Sequence, residues 1–362
     1  RIVTPSPDRV DPPCPHFGRC GGCALQHVNN EALAKWKREQ IVVALAQRGL
    51  KDVAVADTVT VPRRSRRRAE LHARLTDHEL KLGFLERGSR IIVDMEACEI
   101  LTPALFGVLP ALREGLARFL TPHKHVAVHL LETIAGLDVA LGVPEFELTA
   151  KSRDAAAGLA SALDAARLTI NGETIVQRRE PAVMIVGVPV VPPPEGFLQA
   201  AVAAETAIQG IVIGALGKAK SALDIFSGCG TFALALAKTM RVHAVESDGA
   251  ALAALERAVK TTQGLKPVSV EKRDLFRRPL IVPELDRFDA AVIDPPRPGA
   301  KPQCEQIAQS KLKTVVYVSC NAATFARDAE VLFKGGFQID GITPIDQFLW
   351  SPHVELAAVF RR

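Results

Sequence analysis

A thiol and a carboxylate each follow an apolar run in the carboxyl-terminal third of the chain. Cys320 closes the run Val-Val-Tyr-Val-Ser, and Asp294 closes the run 290–293 and opens the turn Asp-Pro-Pro-Arg. Such runs are typical of buried parallel strands, and open α/β sheets hold their ligands at the carboxyl ends of these strands. A nucleophile at one strand end and a rigid acidic turn at another indicate covalent catalysis on a planar substrate. The alternative is a cysteine that only packs, but the polar neighbours Ser319 and Asn321 favour a function.

A glycine-containing turn lies between the first predicted strand and the first predicted helix of the same region. The segment Asp-Ile-Phe-Ser-Gly-Cys-Gly-Thr-Phe begins at Asp224. Its Gly228 and Gly230 permit a tight turn and a close approach of a ligand to the backbone. Ala233 stands where dinucleotide-binding proteins carry a third glycine. The turn alone therefore indicates a nucleotide-type ligand without identifying it.

Two acidic residues follow the next two predicted strands. Glu246 lies 16 residues beyond Gly230, where a carboxylate can accept hydrogen bonds from ribose hydroxyls, and Asp274 ends the third strand, where it can meet an adenine edge. Each acid alone would be expected to cap a helix. Together with the glycine turn they favour an adenosine-type ligand, partly by analogy between folds. We expect S-adenosylmethionine rather than NAD, because Asp-Pro-Pro-Arg ends the fourth strand.

Repeated strand–helix units must position these residues. From residue 222 onward, predicted strands at 222–226, 242–245, 268–270, 290–293 and 314–318 alternate with predicted helices. This order is typical of a doubly wound parallel α/β sheet. The last two predicted strands, around 337–342 and 354–360, are expected to add an antiparallel hairpin at its edge.

The part of the chain before residue 195 has a different character. Residues 29–49 are expected to form an amphipathic helix, and its apolar positions near helical spacing are Leu33, Trp36, Ile41, Ala44 and Leu45. Strand patterns follow over 58–100, and the run 192–194 of three prolines is the best linker. We therefore expect a central α+β domain from residues 1–25 and 58–194, a catalytic domain from 195–362, and a helical segment, 26–57, that packs on the catalytic domain.

Seven cysteines are an odd number, and three of them lie within ten residues. Cys14, Cys20 and Cys23 form a compact group, and Cys98 offers a distant fourth thiolate. In a cytosolic chain this clustering favours metal ligands over disulfides. Four thiolates suit either a tetrahedral Zn²⁺ ion or an iron–sulfur cluster, and the spacing does not separate the two. Cys229 and Cys304 are expected to pack only.

The net charge of +5 over 362 residues is mild, but its distribution is uneven. Five arginines crowd into six positions, at Arg63, Arg64, Arg66, Arg67 and Arg68. This run is either a solvated surface or a phosphate-binding face for nucleic acid, and alternation along a strand could turn Arg67 and Arg68 toward packing. No apolar stretch reaches the length of a membrane helix, and residues 1–13 do not resemble a secretory signal. We expect a cytoplasmic protein without a membrane partner.

Several motifs in combination resemble the 5-methyluridine RNA methyltransferases, which use S-adenosylmethionine. The resemblance covers roughly 14–100 and 195–362. The motifs that carry it are Cys14-x5-Cys20-Gly-Gly-Cys23, Arg66-Arg-Arg-Ala69, Leu82-Gly-Phe84 through Cys98, Phe197-Leu-Gln199, the glycine turn, Ile293-Asp-Pro-Pro-Arg-Pro-Gly299, Val318-Ser-Cys-Asn321 with Thr324 and Arg327-Asp328, and His353-Val-Glu355.

The resemblance implies a mechanism for the two strand-end residues. It makes Cys320 the nucleophile and Glu355 the base, and the chemistry also needs an acidic contact that holds the ring, which Asp294 can supply. Uracil C5 is a poor nucleophile, and addition of a thiolate at C6 makes it an enolate that can take a methyl group. A base must then remove the C5 proton so that the thiol can leave.

The resemblance also implies ligands and a fold. It implies a class I methyltransferase domain with a Rossmann-like, seven-stranded mixed sheet and a smaller central domain with a cysteine-ligated cluster. The cluster would be a [4Fe-4S] centre held by Cys14, Cys20, Cys23 and Cys98, with a structural or RNA-contacting role. The implied S-adenosylmethionine contacts are Gln199, Phe226, Gly228, Gly230, Thr231, Glu246, Asp274 and Asp294.

The expected partner is RNA, with 23S ribosomal RNA favoured over tRNA. A uridine inside folded RNA must leave its stack to reach Cys320, so base flipping is implied. Many family members begin with a small β-barrel RNA-binding domain (TRAM), and with only 13 residues before Cys14 we expect this barrel to be missing. We expect a monomer.

Two other functions remain open at the level of sequence. One is an amino-methylating transferase acting on DNA or protein, although position 297 is Arg rather than the aromatic residue that grips an exocyclic amine, and such chemistry needs no cysteine. The other is an iron–sulfur or zinc RNA-binding protein without catalysis. The presence of Cys320, Glu355 and Asp294 argues against it.

Overall fold

The computed structural model describes residues 2–77 and 79–362, and Arg1 and His78 lie outside these ranges. The helices in these ranges are α1 (Asn30–Ala46), α2 (Pro103–Gly107), α3 (Leu109–Phe119), α4 (Ala150–Ala162), α5 (Val202–Leu216), α6 (Ala233–Leu236), α7 (Gly249–Thr261), α8 (Val282–Leu285), α9 (Lys301–Gln309) and α10 (Ala322–Lys334). The strands are β1 (Val59–Thr60), β2 (Arg68–Leu75), β3 (Leu80–Gly83), β4 (His125–Thr133), β5 (Gly136–Gly142), β6 (Ala165–Ile170), β7 (Glu173–Gln177), β8 (Val183–Ile185), β9 (Val188–Val190), β10 (Ser221–Ile225), β11 (Arg241–Glu246), β12 (Val268–Lys272), β13 (Ala290–Ile293), β14 (Thr314–Ser319), β15 (Gln338–Asp346) and β16 (Glu355–Arg361).

The larger sheet has the strand order β1-β15-β16-β14-β13-β10-β11-β12. The five strands from β14 to β12 pair in parallel, which confirms the predicted doubly wound α/β sheet. β10 and β13 are buried along their whole length, as strands with helices on both faces must be. The prediction of seven strands was wrong: within the described residues the sheet has eight, because β1 pairs with β15 at the edge. A strand of two exposed residues, such as β1, is too short to produce a recognisable pattern in the sequence.

The strand order reverses between β10 and β13. The chain runs outward from β10 to β11 and β12 on one side, and then returns to build β13 and β14 on the other. Ile225 and Ile293 pair at the carboxyl ends of β10 and β13. The next residue of each strand, Phe226 after β10 and Asp294 after β13, therefore lies at the same edge of the sheet. A crevice opens at such a reversal, and it is where α/β folds bind ligands.

The carboxyl-terminal hairpin is antiparallel, as expected. β16 pairs with both β14 and β15, and Ser319 lies opposite Leu356. Because β16 runs against β14, its first residue lies at the same edge as the last residue of β14. The hairpin therefore brings Glu355 to the carboxyl end of the parallel strands.

A second sheet of six strands, ordered β3-β2-β4-β5-β6-β7, builds the central region. It is antiparallel except for the pair β5–β6. Ala69, Leu71 and Ala73 on β2 are buried while Glu70 is exposed, which confirms the predicted alternation. Two segments inside the range 58–194 nevertheless belong with the larger sheet: β1 pairs with β15, and the β8–β9 hairpin shares the core of the larger sheet.

Helix α1 packs on the larger sheet. Asn29 caps its first turn by accepting a hydrogen bond from the Ala32 N–H at 2.8 Å. Ile41 and Leu45 enter the core that also contains helix α10, as the amphipathic pattern predicts. The pattern was wrong for Trp36, which is 43 % exposed. No helix within the described ranges is long and apolar enough to cross a membrane.

Candidate active site

Three predicted catalytic residues meet at one edge of the larger sheet. Cys320 directly follows β14, Asp294 directly follows β13, and Glu355 begins β16. The carboxyl groups of Asp294 and Glu355 both raise the pKa of the Cys320 thiol, so the three groups lie within electrostatic reach of one another. Glu355 is only 4 % exposed, whereas Cys320 and Asp294 are half-buried. The edge therefore combines a reachable thiol with two carboxyl groups.

Burial dominates the electrostatics of these three groups. It raises the pKa of Cys320 to about 11, with Glu355 adding to the rise and Arg297 opposing it. It raises the pKa of Asp294 to about 7. Burial, and then the charge of Asp294, raise the pKa of Glu355 well above its usual value. The protein surroundings thus disfavour negative charge at this edge, and Cys320 is mainly a neutral thiol at pH 7.

Two glutamine side chains join the carboxyl groups. The Gln347 Nε2 atom donates to Glu355 Oε2 at 2.7 Å and to Gln199 Oε1 at 2.8 Å. Gln199 Nε2 in turn donates to Asp294 Oδ2 at 3.4 Å. Gln347 also accepts a hydrogen bond from the Ala200 N–H at 3.2 Å. Gln347 and Gln199 are buried, so the chain of amides fixes the orientation of both acids.

Sequence reasoning missed Gln347. The available signal was its position, because Gln347 directly follows β15 at the edge where the other site residues lie. The sequence gives no spacing motif for it. Its role is visible only when the strand pairing brings Gln347 next to Glu355.

Arg67 belongs to this buried framework. Its Nη2 donates to Glu205 Oε2 at 2.6 Å, and its Nε donates to the Gln199 carbonyl oxygen at 3.2 Å. Both members of the ion pair are buried. The expected packing role of Arg67 is therefore confirmed, and its side chain fixes the backbone that carries Gln199.

The glycine turn follows β10 with a tightly curved backbone. Phe226, Gly228 and Gly230 have positive φ angles of 65°, 53° and 93°. A Cβ at position 230 would overlap Leu255 Cδ1, whereas one at position 228 would face open space. Gly230 is thus needed for packing against α7, and Gly228 leaves room on the ligand side. A positive φ at a phenylalanine is strained, and such strain is concentrated at functional sites.

Buried polar atoms without partners lie at this turn. Asp224 Oδ2 accepts a hydrogen bond from the Ala233 N–H at 2.7 Å, but Asp224 Oδ1 and Ser227 Oγ have no partner among the described residues. Burial raises the pKa of Asp224 to about 8. Unpaired polar atoms are costly, so a polar ligand that pairs with them fits the turn. Sequence reasoning quoted Asp224 as part of the motif but assigned it no role.

The remaining predicted cofactor residues surround the turn. Glu246 Oε2 accepts a hydrogen bond from the Gly228 N–H at 3.1 Å, and its Oε1 accepts one from the Ser247 N–H at 2.6 Å. Asp274 is exposed and caps a local turn through the Phe276 N–H at 3.0 Å. The Phe276 ring lies 5.5 Å from the Phe226 ring.

Thr231 lies within this same turn. Its carbonyl oxygen accepts a hydrogen bond from Gln209 Nε2 at 3.1 Å. All of the predicted cofactor residues except Gln199 and Asp294 therefore lie at or beside the glycine turn. Gln199 and Asp294 lie at the crevice between β10 and β13.

The four predicted cluster cysteines line one small cavity, together with Phe84 and Met95. All four are free thiols. Burial raises the pKa of Cys20 and of Cys98, and it raises the pKa of Cys23 to about 12. Within residues 2–77 and 79–362, however, no group of three or more His, Cys, Asp or Glu side chains is arranged to hold a metal ion. The donor set fits a thiolate-ligated centre in chemistry, and the predicted [4Fe-4S] cluster is not confirmed.

A cavity of about 770 Å³ is lined both by residues of the cysteine loop and by residues of the segment 347–353. Arg66 and Arg87 line it. Arg63 contacts the segment 347–353, because its guanidinium lies 4.9 Å from the Trp350 ring centre. Arg68 makes a different contact, and its guanidinium lies 4.9 Å from the Phe197 ring centre. Glu70 and Glu86 also line this cavity, so its charged lining is mixed. The exposed side chains of Arg63 and Arg87 can contact a phosphate backbone.

Sequence similarity to known proteins shows the family of this chain. The family model of tRNA (uracil-5-)-methyltransferases matches residues 194–362. The chain is 46% identical over 361 residues to an RNA methyltransferase of Brucella suis, an alignment that covers 100% of this chain and 86% of that protein. It is 32% identical over 383 residues to the 23S rRNA (uracil(1939)-C(5))-methyltransferase RlmD of Chromohalobacter salexigens, covering 100% of this chain and 78% of RlmD. The chain belongs to the RNA (uracil-C5) methyltransferase family.

A solved structure has the same fold as this methyltransferase. The Pyrococcus abyssi tRNA (uracil-54, C5)-methyltransferase, crystallised with S-adenosyl-L-homocysteine, superimposes with a TM-score of 0.77. The superposition covers 99% of this chain and 87% of that protein, at 24% identity. The arrangement of the two sheets is therefore that of a methyltransferase.

Proposed function

We propose that this enzyme methylates C5 of a uridine in RNA through a covalent bond between Cys320 and uracil C6. The observation that carries the proposal is the meeting of Cys320, Glu355 and Asp294 at one sheet edge, with Gln347 and Gln199 orienting both acids. Ribosomal RNA is favoured as the substrate over tRNA. RlmD, whose name states a 23S rRNA substrate, is 32% identical over the whole chain, whereas the tRNA enzyme of known structure is 24% identical.

The reaction begins with the sulfur of Cys320. The thiolate adds to C6, and the C5–C6 π electrons move toward O4, so that C5 becomes nucleophilic. After C5 has taken the methyl group, Glu355 removes the C5 proton, the double bond re-forms, and the Cys320–C6 bond breaks. The thiolate is thereby regenerated, and the only lasting changes to the base are one methyl group gained and one proton lost.

The raised pKa values suit a site that is neutral until RNA binds. A neutral Asp294, with its pKa raised to about 7, can donate a hydrogen bond to a ring oxygen or accept one from a ring N–H. Gln347 donates to Glu355 and thereby stabilises its anion, which is the form required for removal of the C5 proton. Arg297 lowers the pKa of Cys320 and so favours the thiolate.

The glycine turn and its neighbours are proposed to hold the methyl donor. S-adenosylmethionine, when bound, supplies the methyl group as an activated sulfonium. Phe226, Gly228, Gly230 and Thr231 would contact it from the turn, and Gln199 and Asp294 would contact it from the crevice between β10 and β13. Glu246 and Asp274 would meet its ribose and adenine parts. The unpaired Asp224 Oδ1 and Ser227 Oγ support a polar ligand at this turn.

The cysteine cavity is proposed to hold a [4Fe-4S] centre through Cys14, Cys20, Cys23 and Cys98. The convergence of four thiols on one cavity supports this proposal. Methyl transfer needs no electron, so the role of the centre is to fix the loop beside the RNA cleft. Anaerobic purification followed by iron and sulfide analysis tests the proposal.

The proposed activity can be tested by following methyl transfer to RNA isolated from cells that lack this enzyme. Mass spectrometry of the digested RNA should show 5-methyluridine at one ribosomal position, and the Cys320→Ser variant should produce none. Circular dichroism of the variant establishes that it is folded. Appearance of the product only in tRNA would overturn the choice of ribosomal RNA, and normal turnover by Cys320→Ser would overturn the mechanism.

A further inference from the structure

One face of helix α1 forms a wall beside Cys320. Trp36, Gln40 and Val43 follow one another at intervals of four and three residues, which places them on a single stripe of α1, and Gln47, which caps the end of the helix, continues this stripe. These four residues and Cys320 line the same cavity of about 430 Å³. The stripe therefore faces the place where the target uridine would bind.

Trp36 does not belong to the buried face of α1. Leu33, Ile41 and Leu45 supply the buried face of α1, whereas Trp36 is 43 % exposed. Large exposed aromatic side chains in nucleic-acid-binding clefts are stacking platforms, because every base has a π face. An exposed indole beside the reacting thiol matches this use.

Gln40 provides an independent observation. Its Nε2 atom is buried and finds no hydrogen-bond acceptor among the described residues. A buried donor without a partner is unfavourable, and a ligand that supplies an acceptor would relieve the cost. Side-chain amides are the groups that read the edges of bases. Glu39 and Arg297 both line the cavity, so its charged lining has one side chain of each sign. The choice of a base as the ligand therefore depends on Trp36 and Gln40.

We propose that this stripe binds the nucleobase that neighbours the target uridine, with Trp36 stacking on its face and Gln40 donating to an acceptor on its edge. The inference rests on the proposed function, since Cys320 marks the position of the target. It assigns α1 a role in substrate choice, because an enzyme that binds a flanking base recognises the sequence around the uridine as well as the uridine itself.

The test exploits the tryptophan content of the chain. There are two tryptophans, and Trp350 is only 1 % exposed, so Trp36 is the one that a base can reach. Subtracting the emission spectrum of the Trp36→Phe variant from that of the intact protein gives the fluorescence of Trp36. The probes are a seven-nucleotide RNA with a central uridine and two copies in which the residue on one side of that uridine is abasic.

The intact oligomer should quench the Trp36 emission, and one of the two abasic oligomers should not. Trp36→Ala should weaken binding of the intact oligomer by about 5- to 150-fold, the range expected for loss of one stacked base. Gln40→Ala should weaken binding less, and Trp36→Phe should retain most of the affinity. Ala46→Gln, at an exposed position of α1 outside the cavity, is the control and should bind like the intact protein.

Three results would overturn the inference: no binding of the intact oligomer, equal quenching by all three oligomers, or wild-type affinity in Trp36→Ala. Methyl transfer to RNA from cells lacking the enzyme is measured in parallel. If the intact protein transfers methyl groups while any of those three results is seen, the inference fails alone. If it transfers none to uridine, the proposed function fails whatever the fluorescence shows.

Discussion

A single nitrogen atom, Gln347 Nε2, donates to Glu355 at 2.7 Å and to Gln199 at 2.8 Å. The proposed base and a residue that contacts Asp294 are therefore held by one side chain. Because hydrogen bonding to a carboxylate favours its charged form, Gln347 keeps more of Glu355 in the anionic form that can accept a proton than burial alone would allow.

Replacing Gln347 by Leu should slow turnover about 10- to 100-fold, which is less than the ~100- to 10,000-fold expected for loss of the acid or base itself, because Glu355 is still present. The pKa of Glu355 would rise further without its donor, so removal of the C5 proton should become the slow step. Rapid-quench kinetics should show the covalent enzyme–RNA species accumulating. A variant in which turnover falls without such accumulation would contradict this assignment.

Glu355→Gln should increase the reactivity of the Cys320 thiol and decrease the rate of methyl transfer. The charge of Glu355 raises the pKa of Cys320, so its removal should lower that pKa and increase the thiolate fraction at pH 8. Alkylation of Cys320 by iodoacetamide should become faster, while methyl transfer falls at least about 100-fold because the base is missing. Slower alkylation in Glu355→Gln would argue against the proximity of the two groups. The fully buried Cys304 should stay unmodified in both proteins and serves as the internal control.

Asp294→Asn should make stability less dependent on pH. The pKa of Asp294 in the folded protein, about 7, lies above the value of an unfolded aspartate, so its favourable contribution is complete below about pH 4 and is lost as pH rises through 7. Asn cannot ionise, and the variant should therefore gain more Tm relative to the parent at pH 8 than at pH 5. Thermal melts at the two pH values measure this, and an equal change at both would contradict it.

Lys37→Met should destabilise the fold by about 3–5 kcal/mol, since it leaves a buried charge unpaired. Lys37 is fully buried, forms an ion pair with Asp346, and donates to the Phe348 carbonyl oxygen at 3.0 Å. The double variant Lys37→Met, Asp346→Leu should recover much of the loss. Urea unfolding of the single and double variants provides the comparison, and additive losses would exclude a coupled pair.

Reversing the charges of Arg63, Arg64 and Arg66 should weaken RNA binding and reduce its salt dependence. Each lost phosphate contact should lower the slope of log affinity against log salt concentration by about 1. Lys151→Glu, at an exposed position of α4 in the other part of the central region, is the matched control. Unchanged affinity and slope in the triple variant would show that the run is only a solvated surface.

The sequence was sufficient for features that leave a local pattern. The buried strands β10, β13 and β14 are continuous apolar runs, and their ends identified Asp294 and Cys320. Glu355 needed the resemblance, because a glutamate beginning a strand carries no signal of its own. The apolar character of Trp36 led to the prediction that it lies on the buried face of α1. In the structure the next residue, Lys37, lies on that face and forms an ion pair with Asp346. Such pairings between residues 309 positions apart depend on tertiary contacts that no local pattern contains.

The most direct test of the mechanism uses RNA from the methylated site with 5-fluorouridine at the target. Fluorine at C5 cannot be removed as a proton, so the enzyme should stall after methyl transfer with Cys320 still bonded to C6. Denaturing gels should show a stable protein–RNA adduct, and peptide mapping should locate it at Cys320. Absence of an adduct with an RNA that is otherwise methylated, or its attachment to another residue, would contradict the central claim.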